Sequence, residues 1–261
     1  MYFLDDDLED LAEAKRLLES PSLASRMVKI MGVPIEIGFR NLPRNWFLQV
    51  QKITSKALHA ALHCALLTLE DDSSVLLGRS SDRFHRVFAA VSGCVGGAFG
   101  LPALAVELPL TTTIMLRSIA DIARSEGEDV KGIEARLACL EVFALGDSRG
   151  GSGTQTGYYV IRSALTRTLS EAAQHIVERG VADEAAPALV RFIATIAGRF
   201  GVVVSDKAAA VSIPIVGAAS GAAVNTIFIN HFQRLARGHF TIRRLERSYG
   251  EERVRREYDC V

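Results

Sequence analysis

The 261-residue chain has no excess of either charge: 30 Lys and Arg stand against 30 Asp and Glu. That balance removes any global electrostatic case for nucleic acid as a partner, so a basic surface has to be local. There is no CxxC pair, and the four cysteines (Cys64, Cys94, Cys139, Cys260) are far apart, three of them in apolar helical contexts. This spacing argues against a disulfide framework or zinc ribbon and for reduced, buried thiols in a cytosolic compartment. The N-terminus, MYFLDDDLEDLAEAKRLLE, is acidic where a signal peptide is basic and has no apolar run ending at small residues. Export by that route is therefore not expected. Alternating strand patterns are missing too, apart from VVVS after Gly201, which could be locally extended. Nothing in the middle reads as a long flexible linker, which argues for one domain despite the length.

What is present is helical. A hydrophobic fraction of 49% and a mean hydropathy of +0.19 allow a large core, while 23% charged residues is ordinary for a folded chain. Asp5 to Asp7 followed by LEDLAEAKRLLE has acidic first turns, later basic residues and Leu8, Leu11, Ala12, Leu17 and Leu18 at helical spacing. A surface helix fits, ended by Ser20 and Pro21, with a bent connection through Pro34 and Pro43. From Trp46 to Leu69, Val50, Ile53, Ala57, Ala61, Cys64 and Leu67 form one helical face. Further helices are expected at Gly132 to Leu145, Tyr158 to Arg179 and Asp183 to Phe200, with a polar, Arg-rich one from Arg234 to Arg256. The expected class is all-α: a multi-helix single domain with an N-terminal helix and connection over residues 1–45 and a helical body over 46–261.

Two uncharged runs stand out, VFAAVSGCVGGAFGLPALAV from Val87 to Val106 and AAAVSIPIVGAASGAAVNTIFI from Ala208 to Ile229. Each is about as long as a membrane span, roughly 20 residues. Their Gly, Ser and Ala content and the helix-breaking Pro102 and Pro214 argue instead for Gly/Ala-rich helical hairpins packed inside the protein, or inserted shallowly into a membrane. Each runs into an arginine-bearing amphipathic helix, but the motif positions fall out of register and do not establish an internal repeat.

Several residues stand out as chemistry-bearing. Glu107 lies beside an uncharged run, where a carboxylate needs a partner, with Arg117 as the candidate. Glu107, Pro109 and Thr111 to Thr113 also have the composition of a helix start. Asp121 could satisfy Arg117 at i, i+4. Asn225, Asn230 and His231 follow the second run and could bond locally or line a ligand pocket shared with Glu107. GDSRGGSGTQTG, Gly146 to Gly157, has the amides to cradle an anion but no GK[ST] ending and no preceding strand, so it reads first as a loop. Its GDS lacks the G-x-S-x-G elbow of a hydrolase. His59 and His63 have the i, i+4 spacing of a metal pair, but a metallopeptidase needs Glu where Ala60 stands, and no third ligand is evident. The Arg234 to Arg244 stretch can meet anionic lipid headgroups; beyond Glu246 the interleaved acids suggest internal pairs on a solvated helix.

Three ordered blocks carry a resemblance. GGAFGLPALAVELPLTTTIMLRSIADIARSEGEDV joins a Gly-rich apolar stretch to an acid-x-Pro turn, a Thr-rich segment and an Arg. LEVFALGDSRGGSGTQTGYYVIRSAL joins a helix and a Gly-rich loop to Tyr-Tyr-x-x-Arg, and IPIVGAASGAAVNTIFINHFQRLARGHFTIRRLE joins Pro-x-x-Gly and Asn to a basic helix. Together, over roughly Trp46 to Tyr249, they resemble the EcsC family, with Glu107 where the family more often has Asp. The resemblance implies a bacterial protein in a membrane-related context, since the family is named for a protein encoded beside an ABC transporter. It carries over no catalytic residue.

The expectation is a membrane-associated protein, cytoplasmic or peripheral on the inner face of the cell membrane. It would bind a membrane lipid or a membrane protein through an apolar groove, with Glu107, Arg117, Asn225, Asn230, Arg234 and Arg237 as ligand-binding residues. A hydrolase with Glu107 near the Gly146–Gly157 loop is the alternative, and a structural interaction module a third. No cofactor, metal or nucleic acid is expected.

Overall fold

The computed structural model describes residues 3–32, 34–68, 100–147, 157–180, 186–213 and 218–261, and every regular element among them is a helix. They run α1 (Asp5–Leu18), α2 (Leu23–Met31), α3 (Ile35–Arg40), α4 (Trp46–Thr68), α5 (Gly100–Ser125), α6 (Ile133–Ala144), α7 (Gly157–Arg179), α8 (Pro187–Val211), α9 (Ala218–Tyr249) and α10 (Glu251–Cys260).

The centre is α6. Its sequence, IEARLACLEVFA, spreads apolar residues around the whole helix rather than along one face, and such a helix has to be enclosed. Every residue from Ala135 to Ala144 is buried, with α4, α5, α7, α8 and α9 packed around it. Phe143 of α6 meets Phe200 of α8 and Phe232 of α9, and Phe228 completes the cluster. Burying each such ring is worth about 1.5–3 kcal/mol. Arg136, although buried, has its charge satisfied by carbonyls: it donates to Leu66 at the end of α4 and to Val130 and Lys131 in the turn before α6.

Two close contacts tie the N-terminal elements to this body. On α3, a Cβ at Gly38 would lie 1.9 Å from the Ala209 carbonyl oxygen of α8. Only glycine allows that approach, and Ser212 Oγ donates to the Gly38 carbonyl at 2.7 Å across it. On α9, a Cβ at Gly238 would meet Leu18 and the Ala14 carbonyl of α1 at 2.8 and 2.9 Å. So α1 is more than a surface helix: Leu11 and Ala14 are buried, Tyr249 Oη donates to Asp7 at 2.6 Å, and Arg244 forks to Asp7, Asp10 and Glu126.

Three local expectations are corrected. VVVS is helical, inside α8, because Phe192, Ile196, Phe200, Val203 and Val204 keep one buried face, and packing outweighs β-branched propensity. Glu107 to Thr113 do not start a helix; they lie inside α5, whose face of Leu104, Leu108, Met115, Leu116 and Ile119 is buried. Pro109 is tolerated there on the partly exposed side, and Thr112 and Thr113 donate back to the Leu108 and Pro109 carbonyls. The Arg-rich C-terminus is not one solvated helix. It divides at Gly250, with φ +86, into α9 and α10 and buries Leu235, Phe240, Leu245, Val254 and Tyr258.

Helix α8 is long and apolar enough to cross a membrane, with a mean hydropathy of 1.6 over its best window, of which 56% is buried inside the protein. It packs against α3, α4, α6 and α7 and carries a buried ion pair, as a core helix does. Of the two uncharged runs, the first lies outside the described residues up to 99. The second covers the end of α8 and the start of α9, with 214–217 outside the described residues.

Candidate functional site

Among the described residues, several clusters of buried polar groups join the helices, and the first contains Glu107. Its carboxylate, 5% exposed, pairs with Lys207 of α8 at 2.5 Å. The Lys207 ammonium also sits 4.6 Å from the Phe228 ring centre on α9. Lost hydration pulls Lys207 below the ordinary lysine range, and Glu107 opposes that shift. Asn225, one helical turn before Phe228, is buried on the same face with its Oδ1 unpartnered among the described residues. Glu107, Lys207 and Phe228 thus join α5, α8 and α9. The pairing expected from Arg117 is made by Lys207 instead: Arg117 is exposed, and Asp121 pairs with Arg124 at 2.7 Å. Lys207 could not be found from spacing: it lies 100 residues from Glu107, in a stretch that reads as apolar core.

The second network clamps α7 to α9. Arg162 donates to Glu246 at 2.6 Å and to the Tyr158 hydroxyl at 3.4 Å, and that hydroxyl bonds His239 Nδ1 at 3.0 Å. Burial first, then Arg243 and Arg162, hold His239 well below its usual pKa, so it is neutral. Glu141 of α6 lies in the field of the same two arginines, yet burial outweighs them and raises its carboxyl to about 7. Arg243 and Arg247 both pair with Glu128. Tyr159 packs edge-on to Tyr258 of α10, under Arg255. Burial also pushes the Cys139 thiol up to about 12, which leaves it inert.

At the C-terminus of α6, His231 Nε2 donates to the Gly146 carbonyl at 3.1 Å, and Arg199 donates to the carbonyls of Ala144 and Asp147, both at 2.8 Å. These side chains satisfy carbonyls that a helix end leaves without partners. The loop they anchor continues through 148–156, outside the described residues, so its cradle geometry does too. Glu107 is committed to Lys207, and nothing described supports a hydrolytic arrangement around it. Asn230 and Arg237 are exposed on α9, whereas Arg234 is half-buried. The expected ligand residues therefore do not converge: Glu107 and Asn225 share the buried layer, Arg234 lies near His231, and Arg117, Asn230 and Arg237 face solvent. His59 is half-buried and His63 exposed, and among the described residues no three His, Cys, Asp or Glu side chains gather to hold a metal.

A family model described as the EcsC protein family matches residues 8–245. The chain belongs to the EcsC family. The match begins at Leu8, so it takes in α1 and the connection that the three motif blocks leave out. No curated protein and no solved structure matches the chain. In this EcsC protein the acid-x-Pro block supplies Glu107 to the buried pair, and the Tyr-Tyr-x-x-Arg block supplies Tyr158, Tyr159 and Arg162 to the α7 clamp.

One feature outside those blocks was missed by motif reading. Between residues 20 and 69 there are six Lys or Arg (Arg26, Lys29, Arg40, Arg44, Lys52, Lys56) and a single acid, Glu36, in a chain whose total charge is zero. The same stretch exposes Ile30 (62%), Ile37 (44%), Phe47 (48%) and Leu48 (65%). Leu48, Lys52 and Lys56 follow one another at i, i+4 along the exposed face of α4. A windowed charge count would have found it.

Lys207→Met, which strands Glu107, is expected to cost about 3–5 kcal/mol in urea unfolding, and adding Glu107→Leu should recover most of that loss. A double variant no more stable than the single one would contradict the pairing. Glu141 has its folded pKa raised to about 7 from 4.5, so its burial costs nothing below pH 4.5 and most above pH 7. Glu141→Gln should therefore leave stability unchanged at pH 4 and raise it by about 3 kcal/mol at pH 8. A difference independent of pH would contradict the shift.

Proposed function

We propose that this EcsC protein is a peripheral membrane protein that docks the α2–α4 corner on an anionic lipid surface. The observation that carries this reading is the coincidence, in one stretch, of local basic charge with exposed large apolar side chains, in a protein whose total charge is zero and which pairs most of its packed cations internally. Interfacial binding needs both components: apolar groups to enter the headgroup boundary and cations to attract anionic lipid. Each Lys or Arg near such a surface contributes about 1 kcal/mol, so Arg40, Arg44, Lys52 and Lys56 together suffice for salt-sensitive binding.

The proposed surface differs from the C-terminal arginines. Arg243, Arg244 and Arg247 are each paired with carboxylates, which leaves them poorly placed to exchange partners for headgroups. It also needs no spanning helix, because docking uses side chains at a corner. The free thiols among the described cysteines, Cys64, Cys139 and Cys260, fit the cytoplasmic leaflet, where anionic lipid and a reducing environment coincide.

Flotation with vesicles tests it. The wild-type protein is expected to float with phosphatidylcholine vesicles containing phosphatidylglycerol and to be released by high salt. Phe47→Asp with Leu48→Asp should abolish flotation, and Arg44→Glu with Lys52→Glu should weaken it by about tenfold or more while leaving thermal unfolding unchanged. Equal flotation of all three proteins, or none by the wild type, would overturn the reading.

A further inference from the structure

Arginines with reduced access to water are almost always matched in this protein. Arg136 and Arg199 donate to carbonyls, while Arg162, Arg243 and Arg244 each meet a carboxylate. Arg234 of α9 and Arg26 of α2 break the pattern. Both are half-buried, and neither enters an ion pair among the described residues. Arg234 Nε is buried without a hydrogen-bond partner among the described residues. Arg26 Nε donates to the Pro21 carbonyl at 3.1 Å, and among the described residues the terminal nitrogens of its fork are unspent.

These two arginines are neighbours. Helix α2 packs against α9, and Arg234 follows His231 at i, i+3 on one α9 face. Lost hydration, and then Arg234, holds the Arg26 guanidinium below its ordinary range. Burial holds His231 down to about 4 against the Gly146 hydrogen bond, and Arg26 and Arg234 both add to that depression. The His231 ring is therefore neutral. Because Nε2–H is spent on Gly146, the unprotonated nitrogen is Nδ1, which is buried and has no partner among the described residues.

We infer that Arg26, Arg234 and His231 form a binding site for a phosphate group, either a free phosphate or the phosphate of a lipid headgroup. Guanidinium forks match phosphate oxygens in pairs, and two neighbouring forks without a carboxylate among the described residues favour a polyvalent anion over a monovalent one. Nδ1 of His231 adds a lone pair that accepts the hydroxyl of a singly protonated phosphate, a contact that chloride cannot supply. The bound anion provides the counter-charge that the described residues do not supply to these cations. Arg26 shares an α2 face with Lys29 and Ile30, at i+3 and i+4, so the site borders the proposed docking corner. It stands independently of that reading, which only names one source of the phosphate.

The test compares wild type with Arg26→Gln, Arg234→Gln and the double variant in chloride buffer. Without phosphate the variants are expected to be at least as stable as wild type, because each removes an unpaired cation. A residue with a purely structural role would behave in the opposite way. Inorganic phosphate should then raise the wild-type melting temperature and bind by calorimetry, with each substitution weakening binding about tenfold and the pair abolishing it. In a second arm, vesicles of equal surface charge carry either phosphatidic acid, whose phosphate is terminal, or phosphatidylserine. Phosphate binding that depends on the arginines, with no preference between the vesicles, assigns the site to a free phosphate compound. An arginine-dependent preference for phosphatidic acid, without binding of inorganic phosphate, assigns it to a lipid headgroup. Phosphate binding without any flotation keeps the site and removes the docking proposal. Flotation identical in wild type and double variant, with no phosphate binding, overturns the site and leaves docking standing.

Discussion

Enclosing α6 on every side is the constraint on which the rest of this structure depends. A helix with no solvent face cannot leave its terminal amides and carbonyls to water, so the residues around its ends have to supply partners. Arg136 binds the turn before α6 to the end of α4, and Arg199 and His231 close its C-terminus. The chemistry near Gly146 is a consequence of that closure: His231 is fixed by its Nε2 bond, which leaves Nδ1 beside two arginines. A structural requirement thus leaves an unprotonated ring nitrogen in the field of Arg26 and Arg234.

Charge follows the same logic of enclosure. Glu107 and Lys207 neutralise each other between α5 and α8, and the α7 clamp and the α1 fork join distant segments through arginine pairs. With so many cations spent inside, a zero net charge hides an uneven surface. The α2–α4 stretch carries six basic residues against the single acid Glu36, next to exposed apolar side chains. That imbalance is what the docking proposal rests on.

The sequence made the helical class legible because periodic apolar faces such as Val50, Ala57 and Ala61 are local signals, and the ordered blocks made the family legible. Partnerships were harder to read. Glu107 was singled out as a lone carboxylate beside an uncharged run, but its partner sits on a helix remote in sequence, so Arg117, nearer in the chain, was the wrong candidate. Pro109 and the threonines after it have the composition of a helix start; a continuous buried face on α5 overrides that local preference. The arginines from Arg243 onward read as a solvated or lipid-facing helix because their acids, Asp7, Asp10, Glu126 and Glu128, come from two other segments. The basic corner escaped for a different reason: no motif covers it, and only a count of the missing acids exposes it.

Trp46, the single tryptophan of the chain, stands at the start of α4, beside Phe47 and packed on Phe39 of α3. Its fluorescence therefore reports on the proposed docking corner without any label. Titrating the protein with anionic vesicles whose acyl chains carry bromine should shift the emission to the blue and quench it, with neutral vesicles doing neither. Emission that stays unshifted and unquenched while the protein is bound to those vesicles would place the contact elsewhere and contradict the account.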